Sequence, residues 1–264
     1  MSEIRIKTLV VGMVGTNCYL VYDHETKRAA VIDPGDGAGQ IANMAVSLGL
    51  KPEAILLTHG HFDHIMAAKE LKETWNVPIY ACEKEIDVLT DGQKSLVAGY
   101  FREPYTITPD VTVKEGDELS IAGFTWKVFE TPGHTIGSCC YYIEKESVLF
   151  SGDTLFAGSY GRTDFPTGSG RQIAESVRRL LSTLPDDTMV YPGHMDTTTI
   201  TVLKRSIILL SGGNEMIGIL LNDTAYEQDI RELLMAFYPG ETFVHEKQDD
   251  VDFLRGGNLL TKCG

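Results

Sequence analysis

Apolar positions along the chain recur first with a period of two and then with helical spacing. Residues 4–10 and 17–22 alternate as strands joined by a turn over 12–15, and residues 28–32 form a third strand that stops at Asp33, Pro34 and Gly35. Ile41, Met44, Ala45 and Leu48 then repeat on one helical face before Gly49. Residues 54–57 are a short apolar run of the kind found in a buried strand. Ile65, Ala68, Leu71 and Trp75 predict a helix, and residues 77–81 another strand. Further strands are predicted at 111–113, 118–121, 124–130, 138–143 and 147–150, separated by glycine or charged turns. Ile173, Val177, Leu180, Leu181 and Leu184 form an amphipathic helix, and residues 188–191 a strand before Pro192 and Gly193. Strands with interspersed helices in both halves predict two sheets packed face to face with helices outside.

Composition narrows the partners. The 264 residues are 43% apolar, with 10 Phe, 11 Tyr and 2 Trp, enough for one large domain with or without a small appendage. The 23 basic against 37 acidic side chains give a net charge of −14, a field that repels phosphate backbones and anionic membrane surfaces. Nucleic acid and membrane are therefore not expected partners. No apolar run approaches the ~20 residues of a bilayer span. Residues 1–7 alternate like a strand and lack a signal peptide's apolar stretch, so a cytoplasmic location is expected. The five cysteines (Cys18, Cys82, Cys139, Cys140 and Cys263) are odd in number without a CxxC pair, and are expected to be reduced thiols, mostly in the core.

Three of the seven histidines fall within six residues: His59, His61 and His64, with Asp63 between the last two. His59 and His61, two apart on an extended loop, project to one side, whereas Asp63 and His64 enter a helical turn and point elsewhere. One segment can thus serve two neighbouring metal ions. Imidazole with carboxylate suits zinc, iron or manganese. Downstream, His134, Asp153 and His194 each follow an apolar strand and each has a glycine beside it. Any one of them reads as an ordinary turn residue. Four separate strand ends offering His or Asp, where open-sheet proteins place their sites, do not.

This set resembles the metallo-β-lactamase superfamily over roughly residues 3–200. The segments 15–19, 131–138 and 158–166 are similar to its glyoxalase II-like (hydroxyacylglutathione hydrolase-like) branch. The resemblance implies a four-layer αβ/βα sandwich, an α/β fold of two mixed sheets with helices on the outside. It also implies two divalent metal ions, most simply zinc, with iron or manganese as alternatives. His59, His61 and His134 would hold the first ion; Asp63, His64 and His194 the second; and Asp153 would bridge. Asp33 matches a residue that supports ligands, and reads equally well as a strand-ending turn aspartate. Two cations sharing a water lower its pKa from about 15.7 toward about 7, giving a metal-bridging hydroxide that attacks a carbonyl, with Asp63 and Asp153 as the catalytic carboxylates. A thiolate, whose thiol pKa is about 8.5, leaves without a strong general acid, so a small thioester or ester is the expected substrate. Arg162 could bind a substrate carboxylate or pair internally with Asp164, and Tyr160 could line the entrance. Cys139 and Cys140 read as core, and His24 and His245 as solvent-facing.

The alternative within this fold is a mononuclear iron persulfide dioxygenase using His59, His134 and Asp153; a non-catalytic metal-binding protein is a third reading. Glyoxalase II's C-terminal basic glutathione-binding residues have no match here. The expected division is 1–205 for the hydrolase domain and 206–264 for a segment unlike the family. That segment is predicted as strand 216–221, helix 226–237 and strand 242–245. It resembles the start of a radical-type coproporphyrinogen dehydrogenase. Residues 211–216 read like a translated ribosome-binding site with a start codon, so the segment is either a frameshift fusion after about residue 201 or a divergent accessory segment.

Overall fold

The structure is a computed structural model that describes residues 3–206 and three further strand segments, 220–221, 243–248 and 251–256. It divides into two compact units, Met1–Thr201 and Val202–Gly264. The first unit contains β1 (Ile4–Val11), β2 (Thr16–Asp23), β3 (Arg28–Ile32), α1 (Ala38–Ser47), β4 (Lys51–Leu56), α2 (Phe62–Ile65), α3 (Ala68–Trp75) and β5 (Ile79–Cys82). The short helices α4 (Ile86–Leu89) and α5 (Val97–Tyr100) lead to β6 (Val111–Val113), β7 (Glu118–Ile121), β8 (Phe124–Glu130), β9 (Cys139–Ile143) and β10 (Val148–Gly152). A small hairpin, β11 (Leu155–Phe156) with β12 (Ser159–Tyr160), precedes α6 (Gly170–Thr183), β13 (Met189–Pro192), β14 (Thr198–Thr199) and α7 (Ile200–Ser206).

Two six-stranded sheets result, ordered β1-β2-β3-β4-β5-β6 and β14-β13-β10-β9-β8-β7. Both are mixed. In the first, β1, β2 and β3 pair antiparallel and β3 through β6 parallel. In the second, only β10 with β13 is parallel.

Alternation within the strands explains the layering. Cys18, Leu20, Val31, Ile55 and Leu57 turn toward one core together with Ile41, Ala68 and Leu71 of the helices. Their neighbours Tyr19, Val21, Ala30, Ile32, Ala54 and Leu56 turn the other way, onto Trp126, Val128, Tyr141 and Phe150 of the second sheet. A period of two with both faces buried makes near-continuous apolar strands, and full burial of each large side chain is worth about 1.5–3 kcal/mol. Helix α6 starts at Ser169, whose hydroxyl accepts from the Gln172 amide at 3.3 Å. The helix buries Ile173, Val177, Leu180 and Leu181.

The predicted helix through Ile65 and Trp75 is divided into α2 and α3, and α3 ends at Asn76 in the left-handed region (φ 53°). Among the elements not predicted, α4, α5, β11, β12 and β14 are two to four residues long and too short to show a period, whereas α7 and the strand Val251–Gly256 are longer. In the second unit, β15 (Leu220–Leu221), β16 (Phe243–Gln248) and β17 (Val251–Gly256) form an antiparallel sheet ordered β15-β17-β16. Of the predicted strand 216–221, residues 220–221 lie in β15 and 216–219 lie outside the described residues. Of strand 242–245, residues 243–245 lie in β16 and 242 outside the described residues; β17 has no predicted counterpart. The predicted helix 226–237 lies outside the described residues. Among the described residues, no helix is long and apolar enough to cross a membrane.

Candidate metal centre

Every candidate ligand follows the C-terminal end of a strand. The loop after β4 carries His59, His61, Asp63 and His64; the loops after β8, β10 and β13 carry His134, Asp153 and His194. Parallel pairing of β3 with β4 and of β10 with β13 sets neighbouring ends at a common edge.

His59, His61 and His134, all buried, form one group whose ring nitrogens lie within 4.8 Å of one another. His61 Nδ1 and His134 Nε2 are 2.9 Å apart. Asp63, His64 and His194 form a second such group. Asp63 Oδ2 lies 3.3 Å from His64 Nε2 and 3.2 Å from His194 Nε2. Asp153 stands between the groups: Oδ2 is 3.4 Å from His134 Nε2 and 3.5 Å from His194 Nε2, and Oδ1 is 3.4 Å from His64 Nε2. All seven predicted ligands therefore meet in one place, with Asp153 facing both sets.

Outer partners decide which nitrogen of each ring is free. Asp33 accepts from the Thr58 amide at 2.8 Å, from Thr58 Oγ1 at 2.6 Å and from His64 Nδ1 at 2.9 Å. Because the Thr58 hydroxyl donates to Asp33, it accepts from His59 Nδ1 at 3.1 Å. His134 Nδ1 donates to the Arg162 carbonyl at 2.7 Å. With Nδ1 carrying the proton in His59, His64 and His134, Nε2 of each is turned inward as a lone pair. Asp33 thus groups spatially with His59 and His64, but its oxygens are already committed to holding them.

The inward atoms fit metal ions. His59 Nε2, His64 Nε2 and Asp153 Oδ1 are buried without a hydrogen-bond partner, a cost of about 1–3 kcal/mol apiece if nothing binds them, and His61 presents Nδ1 beside His134 Nε2. Separations of 3.2–3.5 Å between facing donor atoms are those of ligands about 2.0–2.2 Å from a shared tetrahedral ion. Electrostatics agree. Burial, reinforced by the neighbouring histidines, holds His59 and His61 well below the usual imidazole range, so they are neutral donors. Burial opposes charge on Asp63, but the neighbouring His64 and the contact with His194 outweigh that and keep it a carboxylate. Burial also opposes charge on His64, yet Asp63, Asp153 and Asp33 raise it well above its ordinary value. The carboxylates therefore demand positive charge at this spot, which a bound cation supplies in place of a proton.

Glycines give the ligands room. A Cβ on Gly193 would lie 2.2 Å from Asp153 Oδ1 and 2.7 Å from His64 Cε1, and one on Gly161 would lie 1.9 Å from the Asp153 carbonyl oxygen.

The profile of the Metallo-beta-lactamase superfamily matches residues 11–194. The chain belongs to that superfamily. A hydroxyacylglutathione hydrolase, GloC of Haemophilus influenzae, is 37% identical over 205 residues, covering 76% of this chain and 96% of its own. Among solved structures, the B3 metallo-beta-lactamase BLEG-1 superposes with a TM-score of 0.72 at 37% identity, covering 76% of this chain and 97% of its own. TTHA1623 in a di-iron-bound form superposes with a TM-score of 0.68 at 34% identity, covering 76% and 98%. The superfamily, the α/β fold of two mixed sheets and the His/Asp metal site of a metallo-hydrolase are thus established, while the ion's identity is open to more than zinc.

Of the remaining candidates, Arg162 makes a two-pronged pair with Asp164, Nε to Oδ1 at 2.7 Å and Nη2 to Oδ2 at 2.6 Å, and stacks over Phe165 at 3.9 Å. Phe165 in turn meets the His61 ring edge-on at 5.7 Å. Tyr160 is half-buried in β12, opposite Leu155. His24 is exposed, and His245 lies in β16. Cys18, Cys82, Cys139 and Cys140 are buried free thiols.

Sequence reasoning passed over three supports. Thr16 Oγ1 donates to Asp63 Oδ2 at 2.7 Å. Asn17 binds the Pro192 and Met195 carbonyls through Nδ2, at 3.0 and 2.9 Å, and the Gly193 carbonyl through its amide at 2.7 Å. Glu85 is the third. Thr16 and Asn17 stood within a motif already singled out; Glu85, in a Glu-Lys-Glu turn, carried no signal.

Proposed function

We propose that the protein is a dinuclear metal hydrolase of small thioesters or activated esters. His59, His61 and His134 would hold one ion, Asp63, His64 and His194 the other, and Asp153 would face both. When bound, the ions supply the acidity that makes water a nucleophile near neutral pH and the positive charge that stabilises the oxyanion.

The chain's own residues set what can leave. The observation that carries the reading is where the imidazole protons go: His59 to Thr58, His64 to Asp33 and His134 to the Arg162 carbonyl, all away from the centre. Asp63, held as a carboxylate and oriented by Thr16, offers no proton either. His59, His64, His134 and Asp63 thus offer no proton to a leaving group, which favours one that departs as an anion, a thiolate rather than an amine. Residues 158–166 form the wall in which Arg162 would exchange Asp164 for a carboxylate on the substrate, with Tyr160 beside it. The hydroxyacylglutathione hydrolase GloC supports the thioester class; the thiol and acyl parts are proposals.

Metal content per chain, measured on protein purified without added metal, tests this first. Two ions and chelator-sensitive thioester hydrolysis are expected, with no turnover of β-lactams. One iron and thiol-dependent oxygen uptake would replace this reading with the persulfide dioxygenase, and two ions without turnover of any ester would leave a metal-binding protein.

A further inference from the structure

Glu85 is a carboxylate with 1% exposure, and among the described residues no Lys, Arg or His pairs with it. Its partners are three neutral donors. Gly60 N donates to Oε1 at 2.8 Å, and Gly137 N and Thr135 Oγ1 donate to Oε2 at 2.8 and 2.9 Å. Gly60 lies between His59 and His61, and Thr135 follows His134 directly. One buried side chain therefore ties together the two loops that carry the whole first ligand group.

Both loops are shaped to reach it. A Cβ on Gly137 would lie 2.2 Å from the Glu85 amide nitrogen, so only glycine lets that loop press against the Glu85 backbone. A Cβ on Gly60 would come within 3.2 Å of Glu85 Oε1 and 3.0 Å of Val88. Thr135 is itself aligned by Ser138, with hydroxyls 2.7 Å apart and the Thr135 amide donating to Ser138 Oγ at 3.1 Å.

The arrangement is expensive as mere packing. Burying a carboxylate without a counter-charge costs several kcal/mol, and an apolar side chain of similar volume would serve stability as well or better. Burial indeed pushes Glu85 up to about 7 despite its three donors.

We propose that Glu85 is a positioning residue for the first metal ion: by fixing the Gly60 and Gly137 amides at one carboxylate, it sets the separation of His59 and His61 from His134. The inference rests on the dinuclear reading above and assigns Glu85 to one of its two sites. Glutamine keeps the volume but replaces one acceptor oxygen with a donor, which then faces either Gly60 N or the Gly137–Thr135 pair.

The test is a zinc titration of metal-stripped, full-length protein against a chromophoric chelator, with the Tm of the stripped protein measured alongside. Wild type is expected to bind two ions, and Glu85→Gln to weaken one of them about 10–100-fold while sparing the other. Site assignment comes from two backgrounds. In His194→Ala, Glu85→Gln should still weaken the ion held by His59, His61 and His134; in His61→Ala, it should leave the remaining ion unchanged. Thr135→Val, which removes one donor and keeps the carboxylate, should give a smaller loss at the same site, and it carries the test should Glu85→Gln not fold. Equal weakening of both ions in step with a lower Tm, or affinities within twofold of wild type, would overturn the proposal. A wild type that binds no ion would overturn the dinuclear reading itself, and would be apparent before any variant is made.

Discussion

Asp33 Oδ2 lies 2.9 Å from His64 Nδ1 and accepts its proton, while the same oxygen takes the Thr58 hydroxyl that aligns His59. One carboxylate thereby orients a ligand of each group. Asp33 occupies the left-handed region (φ 47°), which aspartate and asparagine tolerate better than most residues. Asp33→Asn should keep the backbone and one acceptor, yet lower the affinity for the ion at His64 about 10–100-fold. Asp33→Ala should add a loss of about 1–3 kcal/mol in unfolding free energy, because the buried Thr58 amide loses its partner. Zinc titration and chemical denaturation of the two variants separate these effects, and an alanine variant that matches wild type in both would remove Asp33 from the site.

Gly193 and Gly39 make a contrasting pair. At Gly193 a methyl group would collide with Asp153 Oδ1 and the His64 ring, whereas at Gly39, within α1, it would meet nothing within 4 Å. Gly193→Ala should abolish binding of at least one ion and with it hydrolysis. Gly39→Ala should raise stability by about 0.5–1 kcal/mol through helix propensity. Retention of both ions by Gly193→Ala would mean that the His194 loop has freedom to move aside.

Much of the centre was legible in the sequence because a strand end is a local feature. An apolar run, a glycine and then His or Asp can be read one loop at a time, which marks His134, Asp153 and His194, while His59 stands out through the cluster with His61 and His64. The supports were not legible, since Thr16 reaches Asp63 across 47 residues and Glu85 reaches Gly137 across 52. Nothing near Glu85 marks it as buried: Glu83, Lys84 and Glu85 read as a charged surface turn until tertiary packing selects one of them. Arg162 shows the opposite limit. Sequence put its partner at either Asp164 or a substrate carboxylate, and the fold shows the pair with Asp164 formed.

That pair gives a direct test of substrate binding. The two side chains are 59% and 65% exposed, so breaking their pairing should change stability by less than about 1 kcal/mol. Asp164→Asn would free the guanidinium fork. If Arg162 receives a substrate carboxylate, KM should fall for thioesters whose thiol part carries a carboxylate and stay constant for neutral ones. Equal KM changes for both classes would reduce the pair to a loop brace.

The described thiols should be inert in the native state. Burial pushes Cys82 and Cys140 up to about 11, and Cys18 and Cys139 higher still. A thiol at about 11 is ionised to only about one part in a thousand at pH 8, and the thiolate is the reactive form. In a Cys263→Ser background, a disulfide reagent at pH 8 should find no reactive thiol before unfolding and four after it in guanidinium. A fast-reacting native thiol would place one of these cysteines at an opening in the core.

The metal centre should not need the end of the chain. GloC is covered over 96% of its length by only 76% of this chain, the superfamily match ends at residue 194, and the first compact unit is Met1–Thr201. All seven candidate ligands, and the Asp33, Thr16, Asn17 and Glu85 that position them, lie within that unit. A chain ending at Ser206 should therefore keep two ions and the zinc affinities of the full-length protein. Loss of an ion on truncation would make residues 207–264 a working part of the site, and would count against an accidental fusion. Sequencing the locus bears on the same question from the other side. An uninterrupted frame in independent isolates would remove the frameshift, whereas a start codon at Met216 opening a second frame in a close relative would support it, with the metal centre complete before the junction.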